Sequence, residues 1–62
     1  MKLTPEQRET IYRKKERERL SSAELAAKLN CTRVQMVSAQ MGNNLPYDVY
    51  EAVTNWIEEG KS

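Results

Sequence analysis

The sequence predicts an all-α domain of four helices, or five if the last segment is broken in two. Three observations predict it. Its 62 residues allow one domain, 1–62, and no more. Helix-start signals recur along the chain, with Thr4-Pro5-Glu6-Gln7 the strongest and Ser21 to Glu24 next. Finally, Val49, Ala52, Val53, Trp56 and Ile57 recur at i, i+3, i+4, i+7 and i+8, the apolar stripe of an amphipathic helix.

The first helix is expected from Pro5 to about Arg19. Thr4 is its N-cap, Pro5 takes the first helical position and Gln7 completes a capping box. Leu3, Gln7 and Ile11 share a face, with Tyr12 beside it. The remainder is charge, RKKERER from Arg13 to Arg19. That run reads as a solvated face, with Glu9 and Arg13 at favourable i,i+4 spacing. Its other reading is an edge that faces phosphates. Cations late in a helix also suit its dipole.

The second helix starts after Ser21-Ser22, either of which can cap it, with Glu24 at capping-box spacing from Ser21. Leu25, Ala26 and Leu29 form its apolar stripe. Asn30 ends it, being one of the few non-glycine residues that tolerate a left-handed backbone. Thr32 is the N-cap of a third helix, 33–41, with Met36 and Ala39 inward and Gly42 as stop. So short a turn forces two helices to cross steeply, and Ala26 and Ala27 allow a close approach. The segment reads as a helix-turn-helix. A long fourth helix from about Pro46 to Glu59, stopped by Gly60, closes the core.

Leu20, Ser22, Ala23, Glu24, Leu25, Ala26, Leu29, Thr32, Met36, Gly42 and Pro46 follow, without a gap, a pattern that resembles the phage-repressor (lambda-repressor-like, Cro/Xre) helix-turn-helix family. The likeness covers about two-thirds of the chain. It implies a small core of Leu25, Ala26, Leu29, Cys31, Met36 and Ala39. Three positions depart from the family pattern: Gln40 for the usual Glu, Met41 for Asn or Lys, and Asn30 for Gly.

Net charge is +1, but it is unevenly spread. Residues 1–44 carry nine Lys/Arg against five Asp/Glu, a balance of +4, and residues 45–62 carry one against four, a balance of −3. A basic front and an acidic back would orient the molecule on a polyanion. The single Cys and the absence of His exclude an intramolecular disulfide, a His-based triad and a His-ligated metal. Cys31 has no His to activate it and reads as a small core filler. The carboxylates lie on exposed faces, with no cleft to separate their pKa values. The chain is therefore expected not to be an enzyme and to need no cofactor or metal. No apolar run is long enough for a membrane span or a signal-peptide core, so a cytoplasmic location is expected. The initial Met and short tail suggest a complete small protein.

Those features point to a sequence-specific regulator of the small phage or plasmid type, with helix 33–41 in the major groove of double-stranded DNA. Arg can grip guanine, Gln can grip adenine, and Val can pack on a thymine methyl. The outward residues are Arg33, Val34, Gln35, Val37 and Ser38. The resemblance implies base contacts from Arg33, Val34, Gln35 and Ser38, and backbone contacts from Ser22, Asn43 and Asn44. Thr32, Arg13 and Lys28 are further candidates for the backbone. A weak homodimer, strengthened on DNA, is expected through Tyr50, Val53, Trp56 and Ile57 of the last helix. The competing reading is a protein-binding helix-turn-helix module: an antitoxin, antirepressor or host-inhibiting factor. The apolar Val34, Val37 and Met41 and the low net charge keep it open.

Overall fold

The computed structural model describes residues 1–59 and is all-α, with four helices among them. They are α1 (Pro5–Arg17), α2 (Ser22–Lys28), α3 (Arg33–Gln40) and α4 (Tyr47–Glu59). The expected Gly60 stop lies outside the described residues.

One local rule builds the first three helices. Each starts with a reciprocal capping box: Thr4 with Gln7, Ser21 with Glu24, and Thr32 with Gln35. In each, the cap hydroxyl accepts the amide three residues on, and that residue's side chain accepts the cap's own amide. Two orphan donors are satisfied at every start. Each helix then ends in a Schellman turn around a residue at positive φ: Arg19 (56°), Asn30 (58°) and Gly42 (79°). The amides of Leu20, Cys31 and Asn43 close these turns onto the carbonyls of Lys15, Ala26 and Ser38, at 2.9, 2.9 and 3.0 Å. These turns end α1 at Arg17, two residues short of the expected Arg19, and α3 at Gln40.

α4 runs unbroken from Tyr47, one residue after Pro46, so the described residues form four helices rather than five. α2 packs most closely on α3, and α1 packs on both α4 and α3. The core joins Leu3 and Ile11, Leu25 and Ala26, Met36 and Ala39, Leu45, and Val49, Val53, Trp56 and Ile57. Leu29 and Cys31 sit half-buried at its edge instead of inside it.

Two expectations are corrected here. Lys14, from the charge run assigned to solvent, is only 7% exposed. It lies one turn after buried Ile11, on the inward face of α1, and its Nζ donates to the Trp56 carbonyl. Val53, Trp56 and Ile57, expected at a dimer interface, are core residues of the monomer, with Trp56 2% exposed. Trp56 is the one aromatic ring buried in that core, and Lys14 of α1 lies over its face. Of the expected interface set, only Tyr50 keeps part of its surface.

Candidate nucleic-acid interface

Leu29 to Thr32 make the turn between α2 and α3, with Asn30 in the left-handed region at the corner. That conformation reverses the chain without a glycine. Thr32 then restarts it as the α3 N-cap, so the first turn of α3 projects from the corner.

Arg33 and Val34 occupy that first turn and are exposed, Val34 at 75%. Ser38 lies a turn further on and is half-buried. The side chains of Arg33, Val34 and Ser38 have no hydrogen-bond or ionic partner among the described residues. Neither an Asp nor a Glu occurs in α3. Gln35, the fourth expected base contact, is placed differently. Its Oε1 accepts the Thr32 amide at 2.9 Å, so the side chain folds back along the helix as half of the capping box. Thr32 Oγ1 is likewise engaged, with the Gln35 amide at 3.1 Å. Both are helix-start residues here rather than free contacts.

The expected backbone contacts divide in the same way. Ser22 is half-buried, and its Oγ accepts from Lys15 Nζ at 3.2 Å and from Gln40 Nε2 at 3.4 Å. It ties α1 and α3 to the start of α2. Asn44 Oδ1 accepts from the Met1 amino group at 2.6 Å. That amino group also donates to the Leu45 carbonyl, and the Leu45 amide donates back to the Met1 carbonyl, both at 2.7 Å. The start of the chain thereby holds the α3–α4 loop. The side chain of Asn43 is exposed on that loop. Arg13 pairs with Glu9 at 2.5 Å and Lys28 with Glu18 at 3.5 Å, both on the surface. Such exposed pairs contribute about 0–1 kcal/mol, too little to hold either cation away from a phosphate.

Arg8, a cation of the basic front expected to meet phosphates, is placed differently. Its guanidinium lies against Gly42, where any Cβ would collide with it. Its Nε is buried without a hydrogen-bond partner. Neither this contact nor the Lys15–Ser22–Gln40 cluster has a signal in local sequence, since each joins residues far apart along the chain.

Among the described residues, no three His, Cys, Asp or Glu side chains gather in a group that could hold a metal. Burial raises the pKa of the Cys31 thiol, which keeps it protonated and a poor nucleophile at neutral pH. No described helix is long and apolar enough to cross a membrane.

No family model matches the chain, and neither does any curated protein or solved structure.

Proposed function

We propose that the chain is a sequence-specific double-stranded DNA-binding regulator of the small phage or plasmid repressor type, with α3 in the major groove. One observation carries this reading. Arg33 and Val34 stand outward on an acid-free helix set on a tight turn from α2, with half-buried Ser38 a turn further on, and the three side chains have no hydrogen-bond or ionic partner among the described residues. A helix offered in this way fits the major groove, where Arg can take guanine bidentately and Ser can bond either kind of base edge. Asn43 and the cations Arg13 and Lys28 would meet phosphates. A cytoplasmic location goes with this role.

Selection of bound sites from a random duplex library tests the proposal. Enrichment of one motif supports it, and recovery of no motif contradicts it. A single helix-turn-helix reads few base pairs, so two copies on half-sites one helical turn apart would raise affinity and specificity. A two-fold repeat in the selected motif would reveal that arrangement. With Val53, Trp56 and Ile57 occupied in the core, the α4 surface left for a second copy is around Tyr47 and Tyr50.

One observation favours a second reading, a protein-binding module. Val34, Val37 and Met41 form a stripe along α3 at i, i+3 and i+7, with Met41 65% exposed. Retention of a protein partner with no affinity for any duplex would favour it.

A further inference from the structure

α3 carries more than exposed donors. Arg33, Val34, Val37 and Ser38 line a shallow hollow of about 290 Å³ on its outer face. The four residues form two columns at i,i+4 spacing: Arg33 above Val37, and Val34 above Ser38. Each column pairs one polar donor with one branched apolar group. Val34 is 75% exposed and Val37 38%, so the apolar floor between the two donors is open. Uncovered valines stay wet until something apolar fills the space, and burying apolar surface is favourable.

We infer that this hollow takes the C5-methyl group of a thymine in the major groove. The inference rests on the DNA-binding reading above and specifies which base that face selects. Of the four bases, thymine alone presents a methyl group in the major groove, beside its O4 acceptor. Two valines flanked by a hydroxyl and a guanidinium match that edge in both respects. Ser38 can donate to O4 while the valines cover the methyl. Arg33, the one charged residue of α3, can reach a neighbouring guanine or a phosphate. The absence of acid on α3 favours a polyanion over an acidic peptide in the same place. Met41 lies beyond the lining and takes no part.

The test uses the full chain and the duplex enriched from a random library. Each thymine in turn is replaced by deoxyuridine, which removes only the methyl group. At one position or more, affinity should fall about four-fold, the factor expected for one buried methyl-sized group. Val34→Ala or Val37→Ala should bind the thymine and deoxyuridine duplexes equally at that position. Both valines are on the surface, so the variants should stay folded. If every deoxyuridine duplex binds like its parent, or the enriched site lacks thymine, the hollow is not a methyl site, although DNA binding stands. An unchanged deoxyuridine penalty in both valine variants would also overturn the inference. If no duplex is enriched, DNA binding fails too, and the hollow is left to a protein side chain.

Discussion

The Lys14 ammonium lies 4.4 Å from the centroid of the Trp56 ring and donates a hydrogen bond to the Trp56 carbonyl. One lysine thus serves both the face of the largest core residue and its main chain, near the end of α4. The cation–π contact is desolvated, the setting in which such contacts are strongest. Lys14→Met keeps the apolar stem but loses the charge and the donor. It should cost about 1–3 kcal/mol, read as a lower midpoint in urea followed by Trp56 fluorescence. A midpoint equal to that of the parent would show that the stem alone accounts for the burial.

Gly42 is constrained twice, by its φ of 79° and by the Arg8 guanidinium packed against it. Gly42→Ala should therefore destabilise by about 1–2 kcal/mol, mainly through left-handed strain, with a smaller part from displacing the Arg8 guanidinium. In Arg8→Ala the clash partner is gone, and the same glycine substitution should cost only the backbone part. A double-mutant cycle with no coupling between the two positions would show that Arg8 moves aside freely.

Leu25 is fully buried between α2 and the rest of the core. Leu25→Ala should cost about 2–5 kcal/mol from lost transfer energy and the cavity left behind. A domain of this size holds only about 3–5 kcal/mol from its single core, so the variant should be largely unfolded at room temperature. Circular dichroism would show this directly, and a cooperative melt near that of the parent would contradict it.

Arg33 and Gln35 are two residues apart and should respond in opposite ways. Arg33 is exposed and unpartnered, so Arg33→Ala should keep the fold and lose about 1–3 kcal/mol of affinity for the selected site. Gln35 holds the α3 cap, so Gln35→Ala should lower stability by about 0.5–1 kcal/mol. It should leave base preference unchanged. Paired melting and binding curves would separate the two roles, and a changed base preference in Gln35→Ala would return that residue to the contact set.

Those two residues also show how far the sequence could be read. Thr4-Gln7 and Ser21-Glu24 declare their capping boxes by spacing alone, and both form as expected. Thr32-Gln35 has the same spacing, but helical phase turned Gln35 outward and hid its part in the cap. Lys14 was lost in a run of charge, although its place one turn after Ile11 marks the inward face. Val53, Trp56 and Ile57 read as interface residues because the expected core was drawn around α2 and α3. In the fold, α1 and the segment before it bring little apolar surface beyond Ile11 and Leu3, and α4 supplies Val49, Val53, Trp56 and Ile57 to make up the volume. Contacts between helices, such as Lys15–Ser22–Gln40, depend on packing angles that no local pattern encodes.

The salt dependence of duplex binding tests the central claim, that the α2–α3 face meets DNA, most directly. If the basic residues of the first 44 positions neutralise phosphates, log affinity for random duplex should fall linearly with log salt. The slope should be about −0.9 per phosphate contacted. Arg13→Ala or Lys28→Ala should flatten it by about one contact each without altering base preference. Absence of binding to any duplex at low salt, or binding indifferent to salt, would contradict the claim.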